Sequence, residues 1–308
     1  MQRFAVPAIV FTIGLILIVL SLIKISPNLT GAGGSLVFFA IVLFGLSFVP
    51  RPEAASDQPV MSAPESLAKI FYSPAEVFQN LRHHPRWLAA LLVMSILGGI
   101  YLVAFSHRVT PERIGNFVTD KFTQTGLVEL PPDKVAQMRQ DSINQYKEPV
   151  LQAGSVVSGF TGSFIYFAIL AAVYFVSILA MGGNINYWQS LAATVYAAFP
   201  VTVIQKVLSF IILFIKAPTD IHPLLDQQSL VKDNLGVLFN PADNPVLFTF
   251  ASAIGLLTFY GLWLTAKGLR NTGENVSGGI AWTTAIVVWL IGVVFSAAFT
   301  ALLPGILS

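Results

Sequence analysis

The chain has no cysteine, and only 10% of its residues are charged. The first absence excludes disulfides and thiolate-held metals, but it leaves the compartment open, because a cysteine-free chain is tolerated on either side of a membrane. The second sets the chain far from soluble domains, in which roughly a quarter of residues are charged. A net charge of +2, from basic residues scattered along the chain, gives no footprint for nucleic acid or another polyanion. Solenoid-period repeats are missing, as are the paired interrupted spans of an inverted-repeat transporter.

What is abundant is apolar sequence, at 55% of residues. Seven runs approach the roughly twenty residues that cross a hydrocarbon core: 4–23, 35–49, 87–105, 159–181, 189–215, 246–266 and 280–303. The first is longer than a secretory h-region and precedes no small-x-small cleavage site, so it is read as a retained span. The second is short unless the glycine turn at Gly31 to Gly34 lends it residues. Those glycines join two apolar runs and do not follow a strand, so they are not a phosphate-cradling loop. The expectation is an all-α polytopic transmembrane helical bundle of about seven spans.

No aspartate, glutamate or histidine falls inside any of the seven runs. Intramembrane hydrolysis needs paired acids, a Ser/His pair or a helix face bearing two zinc-binding histidines. His83 and His84 are adjacent and point about 100° apart on a helix, so they do not share a metal as an i, i+4 pair does. Neither enzyme activity, a metal nor a cofactor is expected. The loop 216–245 holds Asp220, His222, Asp226, Asp233, Asp243 and Asn244, without the ligand spacing of a calcium loop.

Two polar patterns remain inside the spans. Ser163, Tyr166, Tyr174 and Ser177 share one face of the fourth, and Thr202, Gln205, Lys206 and Ser209 share one face of the fifth. They read either as interhelical hydrogen bonds, worth about 0.6–2 kcal/mol each, or as a polar path or lipid-headgroup groove. Lys206 stands roughly 27 Å along its helix from Trp188 at about 1.5 Å per residue. Its polar neighbours argue for a partner in the bundle or the external cap, either a carboxylate from 107–157 or backbone carbonyls.

The most informative stretch is 67–87. Ser73, Pro74 and Glu76 form a helix start, with a hydroxyl cap, a proline at the first position and a glutamate placed to return a hydrogen bond. Val77, Phe78 and Leu81 then fall on one side of a short helix that Pro85 ends, with Arg82 near its close. Arg86 and Trp87 open the third apolar run, the pattern of an interfacial anchor. The helix packs on its own protein, lies in the membrane interface, or does both.

A helix reading F-x-S-P-x-E-V-F (71–78), then H-P-R-W (84–87), then a long apolar span resembles the Yip (Ypt-interacting protein) domain in its bacterial form. Gly182-Gly183, the stretch Asn186 to Tyr196 with Phe199-Pro200, and Phe259 to Trp263 with Lys267 to Leu269 resemble later parts of that family. The likeness covers roughly 66–301. It implies five spans of Yip type preceded by a two-span hairpin: 1–49 hairpin, 50–65 a proline-, alanine- and serine-rich linker, and 66–308 the membrane domain with an external helical loop 107–157. Eukaryotic relatives act in vesicle traffic and bind Rab-class GTPases. This sequence shows no long cytosolic region ahead of the helix, so a Rab-class partner is not carried over.

The expected role is a non-enzymatic membrane organiser or adaptor for proteins or lipids. The alternative is a small-solute or lipid transporter using the fourth and fifth spans. Membrane lipids are the expected partners, with a possible protein at the cytoplasmic face. Basic residues at short loops (Arg82, Arg86, Lys267, Arg270) place the N-terminus in the cytoplasm and the C-terminus outside, in a bacterial inner membrane; the six Lys and Arg of 107–157 point the other way.

Overall fold

The computed structural model describes residues 2–24, 29–50, 59–124 and 130–302. Among them are twelve α-helices: α1 Gln2–Leu22, α2 Thr30–Leu46, α3 Ala63–Lys69, α4 Pro74–His83, α5 Leu88–Val109, α6 Pro111–Gln124, α7 Pro132–Lys147, α8 Pro149–Ala180, α9 Tyr187–Ile215, α10 Pro245–Ser252, α11 Leu256–Thr272 and α12 Gly278–Leu302. The described residues contain no sheet, only two isolated bridges. Among the described residues five helices are long and apolar enough to cross a membrane: Phe4–Leu22 within α1, and the whole of α5, α8, α9 and α12. The molecule is an all-α polytopic membrane protein.

The differences from expectation sit in the second and sixth spans. Gly31 to Gly34 do not form a turn; they lie in the first turns of α2, which reaches only 17 residues. The expected span 246–266 breaks between α10 and α11 because another segment docks into it. Leu235 donates its N–H to the Ile254 carbonyl (3.0 Å), Leu256 donates to the Asp233 carbonyl (3.4 Å), and the Asp233 carboxylate accepts the Leu257 N–H (2.7 Å). These bonds satisfy backbone groups that a helix end leaves orphaned, so ending a helix here costs little. Gly255 makes the approach possible, since a Cβ there would lie 3.0 Å from that of Asn234.

Smaller shifts have local causes. The fourth span begins ten residues earlier than expected, because Pro149 opens α8 while Glu148 caps α7. Within the expected linker, 51–58 lies outside the described residues, and 63–65 is already helical, with the Ser62 hydroxyl accepting the Glu65 N–H (3.3 Å). The last expected span residue, Leu303, also lies outside the described residues.

Two compact units share the chain. One comprises Met1–Ile96, Ala153–Pro200 and Leu264–Ala285. In it α1 and α2 approach so closely that a Cβ on Gly33 would lie 2.7 Å from the Gly14 carbonyl oxygen. Phe39 of α2 meets Phe160 and Phe164 of α8 edge-on, with centroids 5.6 and 4.9 Å away. The early turns of α9 are buried on nearly every side, from Gln189 to Ala197. Ser190 and Tyr187 donate to the Ala171 and Ala168 carbonyls of α8 (2.8 and 3.2 Å).

The other unit comprises Leu97–Gln152, Val201–Trp263 and Ile286–Ser308. Its core is Tyr101, Phe105, Val109, Ile114, Leu213, Ile221 and Leu230. Val135, Met138 and Ile143 give α7 a thin apolar face that is half-buried. Arg139 ties α7 to Asp120 of α6 at 2.6 Å. Arg108 donates to the Leu213 and Lys216 carbonyls at the end of α9 (3.3 and 3.2 Å), where a cation is favoured by the helix dipole. Arg113 reaches the carbonyls of Pro218, Thr219 and Ile221.

Candidate functional site

The helix start at Ser73 is present, with Pro74 at its first position, but its hydrogen bond differs from the expected one. The Ser73 hydroxyl donates to the Glu76 carboxylate (3.0 Å) and makes no bond to the backbone N–H groups of α4. Glu76 also faces Lys69 at 3.5 Å, and Lys69 pairs with Glu65 at 3.0 Å. The Glu65 hydrogen bond raises the Lys69 ammonium above its ordinary pKa, and the same bond holds Glu65 below its own.

The apolar side of α4 is closed. Val77 and Phe78 are 0% exposed and Leu81 is 2% exposed. The Phe78 ring fills the space left by a missing side chain on α11. A Cβ on Gly268 would stand 3.0 Å from that ring and 3.4 Å from the Ala193 methyl group of α9. Polar bonds frame the contact. The Gln189 amide donates to the Arg82 carbonyl (2.8 Å), Arg82 pairs with Glu274 (2.9 Å), and Gln79 reaches Asn271 (3.5 Å). The ion pair is partly exposed, so it orients α4 more than it stabilises it.

Asn186 and Gln189 close a capping box on α9. The Asn186 side chain accepts the Trp188 N–H (2.9 Å), and the Gln189 side chain accepts the Asn186 N–H (2.7 Å). Asn184 and Glu274 exchange backbone hydrogen bonds (2.9 and 2.6 Å). Three separated sequence stretches therefore meet at α4. Sequence reasoning singled out α4, quoted Gln189 and Gly268 within the family likeness without giving them a role, and missed Asn271 and Glu274; the N-x-x-Q spacing at 186–189 was the one local signal of a cap. Arg86 is exposed and Trp87 half-buried, its ring 4.9 Å from that of Phe164.

The two polar faces lie in different units. On α8, Tyr174 is buried and hydrogen-bonds Thr265, Tyr166 is 61% exposed, and Ser163 and Ser177 are half-buried. On α9, Lys206 donates to the Gln228 carbonyl and sits 4.6 Å above the Tyr101 ring. One turn on, Ser209 accepts the Leu230 N–H (3.0 Å) and lies 3.2 Å from the Ser229 hydroxyl. Thr202 and Gln205 are half-buried. The face staples the returning segment 228–230 to α9. Of the expected partners for Lys206, backbone carbonyl is the one found, from the loop after α9 and not from 107–157.

Lys206→Met should lower thermal stability by about 1–3 kcal/mol, since a charge-assisted hydrogen bond and a cation–π contact both go. A melting measurement on purified protein checks it. An unchanged midpoint would mean that the ammonium contributes nothing to holding this segment.

The acids of 216–245 are spent separately. Asp226, 3% exposed, pairs with Lys232 (2.7 Å) and Lys216 (3.7 Å) and accepts the His222 N–H (2.9 Å). Asp243 accepts from the Asn240 amide (2.7 Å). His222 Nδ1 accepts the N–H groups of Leu224 and Leu225 (3.1 and 3.0 Å), which requires that nitrogen unprotonated. Burial pushes the His222 pKa down, opposed by Asp226 and reinforced by Lys232, Lys121 and Arg113. Among the described residues no three His, Asp or Glu side chains come together as a metal site would need.

A helical bundle with apolar spans and a short amphipathic helix docked on two of its helices defines a polytopic membrane protein. The Yip1 domain family model matches residues 68–299, and the chain belongs to that family. No curated protein and no solved structure matches it.

Proposed function

We propose that this protein is a non-enzymatic membrane adaptor that presents the outer face of α4 to a protein partner in the cytoplasm. The observation that carries this reading is the closed apolar face of α4. A helix that shapes a bilayer by insertion keeps such a face free for lipid. Here Val77, Phe78 and Leu81 are already buried. What α4 and its approach leave outward is Glu76, Gln79 and the aromatics Phe71 and Tyr72, 41% and 72% exposed, a composition suited to recognition. The staple at Lys206 takes away the main motive for a transport path, because the cation is engaged by a carbonyl and a ring.

The orientation that goes with this reading has the N-terminus and α4 in the cytoplasm and the C-terminus outside, in a bacterial inner membrane. Arg108, Arg113 and Arg139, half the basic residues of 107–157, serve internal contacts, which supports giving more weight to the short-loop residues.

A photocrosslinking residue at Tyr72 or Gln79 in native membranes tests the adaptor role. The expected result is one discrete protein adduct from both positions, competed by a soluble peptide spanning the partner's contact, and none from buried Val77. Adducts to lipid alone would sink it. Solute flux into proteoliposomes, abolished by a stably folded Lys206→Met variant, would favour the transporter instead.

A further inference from the structure

Two cavities in the first unit meet at Trp87, Leu88 and Trp188. One, of about 570 Å³, carries Asn80, His83, His84 and Arg86 on its wall. The other, of about 550 Å³, is walled by side chains of α1 and α2 such as Val6, Val10, Leu43 and Leu46, with Ser47 its only polar side chain apart from the indoles. Each lies within the roughly 300–1,000 Å³ of ligand pockets. We propose that the pair holds one anionic phospholipid, its phosphate at Arg86 and an acyl chain in the cavity walled by α1 and α2.

Three observations select this occupant. Neither cavity is lined by an acid, and Arg86 has no ion-pair partner among the described residues. An exposed guanidinium is a planar fork matched to phosphate oxygens. The polar wall and the apolar wall are joined through two tryptophans, so the space has the polarity gradient of an amphiphile. The join also falls at the start of α5, with Arg86 and Trp87 at the headgroup level of a spanning helix. A partner protein's helix, about 10–12 Å across with its side chains, would fit only about one turn into the second cavity, whereas an acyl chain is thin enough to run along it. The inference goes beyond the adaptor reading and does not depend on it.

The test uses the full chain in phosphatidylcholine nanodiscs containing a small fraction of phosphatidylglycerol, with bound lipid counted by native mass spectrometry. Brominated phosphatidylglycerol then quenches tryptophan emission, with Trp87→Phe and Trp188→Phe assigning the signal. Wild type is expected to retain phosphatidylglycerol over phosphatidylcholine. Arg86→Gln should weaken that retention about tenfold, while Arg86→Lys keeps part of it. Leu43→Trp, which fills the apolar cavity and leaves the charge, should also expel the lipid. Equal retention of the two lipids by wild type overturns the proposal without any variant. So does a retained peptide in place of lipid, or full retention by both Arg86→Gln and Leu43→Trp.

Discussion

Phe78→Ala is expected to lower stability by about 3–5 kcal/mol, the range for removing a fully buried ring whose surroundings cannot collapse into the space. Collapse is restricted here because α11 approaches the ring through Gly268, which has no side chain to move into the space. Loss of the ring should free α4 before it unfolds the spans, so limited proteolysis near 70–84 should accelerate along with a fall in melting temperature. The partner experiment uses Gly268. An alanine Cβ would sit 3.0–3.1 Å from two atoms of the ring edge, close enough to force a shift of a few tenths of an ångström. Gly268→Ala should therefore be mild and Gly268→Leu severe, and Phe78→Leu should partly rescue the latter. Equal tolerance of Phe78→Ala and Gly268→Leu would mean that α4 is not held by this contact.

Gly33→Val should separate α1 from α2. Its Cβ would lie 2.7 Å from the Gly14 carbonyl oxygen and 2.9 Å from the Ile18 nitrogen, both backbone atoms that no rotamer change can move aside. Close approach through small residues is the main source of helix association in a bilayer, where apolar surface alone gives no preference for protein over lipid. The expected cost is about 1–3 kcal/mol or more. The cysteine-free chain gives a clean readout. Ser21 and Thr30 hydrogen-bond across the hairpin at 2.9 Å, so Ser21→Cys with Thr30→Cys should crosslink readily, and Gly33→Val should suppress that crosslink. Gly34→Val is the control, because nothing lies within 4 Å of its Cβ position. Equal suppression by both valines would point to helix propensity in place of packing.

The α4 junction was half legible. Ser73, Pro74 and the spacing of Val77, Phe78 and Leu81 announce a short amphipathic helix, since caps and periodicity are set by neighbours within a turn or two. The partners of that helix come from residues about 110 to 190 positions further on, and Gly268, Asn271 and Glu274 carry no local mark of their role. The break between α10 and α11 was hidden for the same reason. An apolar run containing two glycines looks continuous until Asp233 and Asn234 are known to dock at one of them, Gly255.

Taken alone, the sequence determined that this is a multi-pass helical membrane protein, because scarce charge and long apolar runs leave no other way to satisfy a backbone in lipid. It also determined where several helices start, through Pro74, Pro111 and Pro132, and it carried the family likeness over 68–299. Tertiary structure alone decided which apolar faces are buried, what engages Lys206, and which expected spans are shortened or broken. The physical reason is that a lipid-facing leucine and a core leucine are chemically alike, so within a span periodicity does not separate lipid from protein; only a partner's position does.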